Sequence, residues 1–154
     1  VTDFDTPKSE WGEGPWRQES DREDFEYAGF ACLALRNPSG YWCGYVGVPE
    51  GHPAYDMDPD EVNVAVHGGL TYGGKEPICH QSKPGYREHV YWLGFDCAHI
   101  WDYAPGISAF LRRLGIAHDR LPGQVYRDLA YVRGEIESLA EQLAAMPARR
   151  CDYK

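Results

Sequence analysis

The nine residues GFDCAHIWD, positions 94–102, bring two carboxylates, a thiol and an imidazole into one short stretch, directly after the apolar run VYWL. A second imidazole, His67, precedes the glycine-rich phrase GGLTYGG. Three chemistries use residues of these types. The first is metal binding by His67, Asp96 and His99, with Asp102 as a further carboxylate and His52 or His80 as an added ligand. Neutral imidazoles and carboxylates suit zinc, manganese or iron, and an open coordination position would activate water for hydrolysis. No HExxH helix or paired CxxC fixes that spacing.

The second is thiol chemistry, with Cys97 or Cys79 as nucleophile, a histidine as base and Asp96 or Asp102 as its orienter. It needs a depressed thiol pKa, and the sequence supplies His80 beside Cys79 only as a neighbour in the chain. The third is a pocket for a planar, phosphate-bearing ligand. His67, Gly68 and Gly69 would give polar contacts and backbone access, Tyr72, Trp92 and Trp101 would stack, and Lys75, Lys83 and Arg87 would neutralise phosphate. The glycines form neither a Walker A nor a Rossmann fingerprint.

Each motif also has a purely structural use. Cys32, Cys43 and Cys97 lie in apolar surroundings, where a free cysteine behaves as a small hydrophobe. Asp96 suits a turn cap, His99 a bond to a carbonyl, and the glycine pairs a bulge or tight turn. If the strand through VYWLGFDCAH runs on, alternation puts Cys97 and His99 on one face and Asp96 with Trp92 on the other. If it stops at Gly94, a turn gathers Asp96, His99 and Asp102.

The elements that must position these groups are readable from pattern. GFACLALR and YWCGYVGV flank NPSG and predict a hairpin. Alternating Val62, Val64 and Val66 predict a strand ending at His67, and VYWLGF predicts a further strand. KEPICHQSKPGYREH reads as a long loop, and GISAFLRRL as a short helix. Val125, Leu129, Val132, Ile136, Leu139 and Leu143 recur at helical spacing and predict a long amphipathic helix within 123–146, docked on its own sheet or paired with a second copy as a homodimer. Gly134 in that helix marks an expected close approach of another segment.

The expected organisation is one α+β domain. An irregular arm over 1–27 lies on a mainly antiparallel, sheet-rich core over 28–122, followed by the helix over 123–146 and a tail over 147–154. A net charge of -9 and a pI near 5.0 argue against a protein devoted to gripping nucleic-acid phosphates. No run reaches the roughly 20 apolar residues of a bilayer span. An odd set of five cysteines without paired spacing suits reduced thiols in a cytoplasm.

In order along the chain, GPWRQESDRE, GYWCGYVGVPEGHPAY, VHGGLTYGG, ICHQSKPG, YWLGFDCAHIWDYAPG and YRDLAYVRGEIESLAEQLA resemble a family of small proteins of uncharacterised activity found in tailed bacteriophages and in bacteria carrying prophages. The resemblance covers nearly the whole chain. It implies a phage or prophage origin, residence in the cytoplasm of a bacterial host, and an accessory role such as binding a nucleotide-like molecule of host defence signalling. A hydrolase of such a molecule and an acidic protein inhibitor of a host factor are the alternatives.

Overall fold

The structure is a computed structural model that describes residues 6–76, 89–116 and 120–148. Five strands form one antiparallel sheet: β1 (Arg22–Tyr27), β2 (Phe30–Arg36), β3 (Trp42–Pro49), β4 (Tyr72–Gly74) and β5 (Val90–Asp96), in the spatial order β1-β2-β3-β5-β4. Two helices follow, α1 (Pro105–Arg113) and α2 (Leu129–Ala144). The architecture is α+β, with a long helix closing the described chain. None of the described helices is long and apolar enough to cross a membrane.

The β2–β3 hairpin forms where Asn37, Pro38, Ser39 and Gly40 supply turn chemistry. The Asn37 side chain accepts from Ser39 N at 2.8 Å, and Gly40 N closes the turn on Asn37 O at 2.8 Å. β1 joins β2 through Ala28 and Gly29, both at positive φ, so that Tyr27 faces Phe30 across a two-residue turn. This strand corrects the expectation for 1–27, because the last six residues of the irregular arm are the sheet's edge strand.

Alternation sorts side chains to two faces. Trp42, Val46 and Val48 of β3 join Leu93 and Phe95 of β5 in the main core under α2, while Tyr45, Cys43 and Trp92 belong to a second apolar cluster with Leu33 and Leu35. Gly44 lets the helix come close: a Cβ there would lie 2.5 Å from the Phe95 ring and 2.7 Å from Ile136. Asp128 caps α2 by accepting from Tyr131 N at 2.8 Å. Val132, Ile136, Leu139 and Leu143 are completely buried against the chain's own sheet. The stripe expected to raise the prospect of a dimer through this helix is therefore already covered. The stripe is also shorter than expected: Val125 is exposed and precedes the helix.

Two other expectations change. Val62–Val66 is not a strand. Its alternation is real burial, with Val62, Val64 and Val66 packing on the core, but Ala65 N and O bond to the Gln142 side chain at 2.7 and 2.8 Å instead of to a neighbouring strand. The strand of this region is β4, at the glycines expected to break the pattern. Gly134 meets nothing within 4 Å and marks no close approach.

Arg36 fastens the arm. Its side chain is fully buried between the Trp11 and Trp42 rings, 5.4 and 4.8 Å from their centroids, and donates to Asp21 Oδ1, Glu19 Oε1, Tyr126 OH and Trp16 O. Glu19 in turn accepts from Leu129 N at the start of α2. A buried guanidinium is tolerable only with its donors satisfied, and here two carboxylates and three neutral oxygens, the third being Glu19 O at 3.2 Å, satisfy them.

Candidate functional site

β5 ends at Asp96, and the chain then turns twice. Asp96 accepts from Ala98 N at 3.1 Å and from the Thr71 hydroxyl at 2.9 Å, so both of its oxygens hold the turn and the start of β4. Cys97 N donates to Trp42 O at 3.0 Å, and its side chain enters the core. The next turn closes where Asp102 N donates to His99 O at 2.9 Å. Residues 101–103 then pair with Val125: Val125 N donates to Trp101 O at 2.9 Å and Tyr103 N to Val125 O at 2.8 Å. This short parallel bridge brings Arg127 and the first turn of α2 beside Asp102.

The carboxylate of Asp102 is the hub. Its Oδ2 accepts from His67 Nε2 at 2.9 Å, His99 Nδ1 at 2.8 Å and His99 N at 3.1 Å, while Oδ1 accepts from Arg127 Nε at 2.9 Å. Burial pushes the Asp102 carboxyl up, but the bonds from His67, Arg127 and His99 outweigh burial and hold it below its ordinary range. It is a carboxylate with both oxygens in use, Oδ2 by three donors and Oδ1 by one.

The two imidazoles differ in surroundings. The His67 side chain is 7% exposed, and its Nδ1 lies 2.7 Å from the Tyr131 hydroxyl, which donates to Glu135 Oε1 at 3.2 Å. The His99 side chain is 21% exposed and stacks on Trp101, with centroids 4.9 Å apart and planes 5° from parallel. With Nδ1 held by Asp102, His99 Nε2 carries the lone pair and makes no hydrogen bond among the described residues. Gly68, at φ +66°, lies directly against it, and a Cβ at that position would come within 2.3 Å of Nε2. Trp101 is half exposed and Ile100 more so.

The expected site thus divides. His67, Gly68, His99, Trp101 and Asp102 come together, with Gly69 completing the turn through its bond to Val66 O. Asp96 is replaced by Asp102 in the metal-ligating set expected from sequence, because alternation on β5 turns Asp96 away and the turn after it brings Asp102 in. Tyr72 and Trp92 are corrected as site residues: they pack in the second cluster with Tyr45, on the other face of the sheet. Cys97 is corrected as a nucleophile. Burial, with the Asp102 and Asp96 charges, pushes its thiol far up, the opposite of what activation requires.

His52 is not an additional ligand either. Its Nδ1 accepts from Ala54 N and its Nε2 donates to Leu143 O at 2.8 Å, so it fastens the end of α2. Lys75 sits over the Tyr55 ring. Cys79, His80, Lys83 and Arg87 lie outside the described residues.

Arg127, Tyr131 and Glu135 went unrecognised in the sequence, where they read as the polar side of a helix and its approach. The usable signal was the four-residue spacing of Tyr131 and Glu135 immediately after a capping Asp128. Together the side chains form a hydrogen-bonded row from His99 through Asp102, His67 and Tyr131 to Glu135, which can fix tautomers and move protons. No family model, curated protein or solved structure matches this chain.

Proposed function

We propose that this chain is an accessory protein of phage type that takes up a small nucleotide-like molecule at the His67–His99–Asp102 cluster and hydrolyses it. The observation that carries this reading is the 2.8 Å bond from His99 Nδ1 to Asp102 Oδ2. It orients the imidazole so that Nε2, beside Gly68 and without a hydrogen-bond partner among the described residues, turns its lone pair to an attacking water and takes its proton. Asp102 holds the ring and stabilises the imidazolium that forms. His67 braces the same carboxylate from the other side, and Trp101 keeps the His99 plane fixed. The phage setting rests on the resemblance of the sequence, and the nucleotide class on the half-exposed indole beside the histidines.

Uptake without turnover is the second reading, and Trp101 favours it, since an accessible indole edge beside polar donors holds a planar base. Both readings are tested by incubating the protein with linear and cyclic nucleotides and following consumption and retention by mass spectrometry. Hydrolysis is expected to be abolished in His99→Ala and unchanged in His89→Ala, whose exposed ring lies 3.1 Å from the exposed Glu50 carboxylate. Retention of an intact nucleotide, lost in Trp101→Ala, would replace hydrolysis by uptake. Equal behaviour of wild type, His67→Ala and His99→Ala in both assays would refute the site.

A further inference from the structure

The geometry points to a divalent transition-metal site formed by His67 Nε2, His99 Nδ1 and Asp102 Oδ2, with Tyr131 and Glu135 as the pair that prepares His67 for the ion. It takes the cluster on which the proposed hydrolysis rests in a different, ion-bound state, in which His99 carries its proton on Nε2 and does not serve as the base, and it requires no turnover.

Three observations lead there. First, the donor set is two imidazoles and one carboxylate, with one ligating atom from each of the three residues and all three atoms within 4.8 Å of one another. Such a set suits zinc, iron or cobalt and leaves coordination positions open. A tetrahedral ion with ligand bonds of about 2.0–2.1 Å spaces its ligands by roughly 3.3 Å. The carboxylate oxygen, 2.9 and 2.8 Å from the two nitrogens, needs to withdraw by a few tenths of an ångström, and the nitrogens, within 4.8 Å of each other, adjust to the same spacing.

Second, the far nitrogen of the buried His67 side chain has a partner. The Tyr131 hydroxyl has one proton and, in this arrangement, gives it to Glu135. Its oxygen is then the acceptor for His67 Nδ1–H at 2.7 Å. Nε2 thus becomes the nitrogen that faces a carboxylate oxygen at 2.9 Å. An ion entering beside Oδ2 displaces the proton that Nε2 gives that oxygen and takes its lone pair, while Tyr131 holds Nδ1 from behind. A buried partner that fixes the far nitrogen of a histidine is the usual outer support of a metal ligand.

Third, a single oxygen, Oδ2, serves three donors: both imidazoles and the His99 backbone. Replacing the imidazole protons by one ion relieves that crowding and keeps Arg127 on Oδ1. His99 answers by carrying its proton on Nε2, which lies against Gly68.

The test uses metal alone. Wild-type protein, stripped with chelator, is titrated with Co²⁺ while visible d–d absorption is followed, and with Zn²⁺ against a fluorescent competitor. One ion per chain is expected, with tetrahedral-type cobalt bands. His67→Gln, His99→Gln and Asp102→Ala are expected to weaken binding by about 100-fold or more, and Tyr131→Phe by about 10- to 100-fold. His89→Ala should bind as wild type does. Circular dichroism identifies any variant that fails to fold, and the wild-type titration decides the matter independently of the variants. Absence of binding by folded wild type at 100-fold molar excess of metal, or binding that persists in folded His67→Gln and His99→Gln, overturns the inference. Hydrolysis that persists in chelator alongside absent metal binding overturns it while leaving the proposed reaction intact. Stoichiometric metal on a protein that turns over no nucleotide upholds it and removes the reaction.

Discussion

Replacing Asp102 by Asn keeps the shape of the hub and removes its charge, so the consequences can be worked out atom by atom. The amide oxygen can serve only one side. Facing Arg127, it leaves NH2 pointing at His67 Nε2, His99 Nδ1 and His99 N, all of which now donate to Oδ2. Both imidazoles must then turn lone pairs towards the amide, and the His99 backbone N–H loses its acceptor. Hydrogen bonds to a charged group contribute about 1.5–3 kcal/mol each. Here one is lost and the others are converted to neutral pairs, so a total cost of about 2–4 kcal/mol follows. A domain with roughly 5–15 kcal/mol of stability survives that change.

The assays are denaturant unfolding and long-range ¹H–¹⁵N NMR of the imidazoles. The expected result is a folded protein, destabilised by that amount, whose His99 proton has moved from Nδ1 to Nε2. The pH dependence has a definite sign. The folded-state pKa of Asp102 is held below its ordinary value, so the carboxylate's contribution is complete above the unfolded pKa of about 4 and fades as pH falls through the lower folded one. The stability gap between wild type and Asp102→Asn should be flat above about pH 5 and narrow below about pH 4. A variant within about 0.5 kcal/mol of wild type, or a wild-type His99 protonated at Nε2 alone in chelator-stripped protein, would refute the reasoning.

Gly68→Ala strains a backbone at φ +66° and drives its Cβ into the His99 ring; the ring should leave Asp102, seen as loss of its protected Nδ1–H resonance. Gly134→Ala, at an exposed helix position with nothing near it, should stabilise by about 1 kcal/mol and raise Tm by about 2–4 °C in calorimetry. Cys97, and Cys32 with its thiol pushed up to about 11 by burial, should resist alkylation until the protein unfolds; rapid labelling in native buffer would contradict the packing.

The sheet was legible because its strands carry two independent signals, alternation and turn residues. GFACLALR–NPSG–YWCGYVGV needed no more than those to declare a hairpin. Val62–Val66 has the alternation without a partner strand, and a glutamine side chain from a helix 77 residues away in sequence takes the place of the ladder. No local pattern announces that. β4 is the converse, a strand made where glycines seemed to forbid one, because it pairs only at Gly94, Leu93 and Trp92. At the site, His67, His99 and Asp102 were named by residue type alone. The choice between Asp96 and Asp102 turned on where β5 stops, and Trp92 follows the parity that alternation gives it, on the face away from His99. Tyr131 and Arg127 enter only through a bridge at Val125 that depends on tertiary folding.

The Arg36 fastening bears on the order in which the protein can be made. The arm's anchors lie far downstream: Thr6 donates to Gly106 O, 100 residues on, and Glu19 meets Tyr126 and Leu129 at separations of 107 and 110. The ribosome therefore delivers the arm early and its seat late. Until residues near 129 have emerged, Trp11, Trp16 and the guanidinium of Arg36 have only part of their burial partners. Contacts of such long range close slowly, since the chain between them must first be gathered. The arm, made well before its seat, should thus be the last described segment to lock, and a nascent chain halted before Tyr126 should hold its hairpin while residues 6–20 stay open to protease.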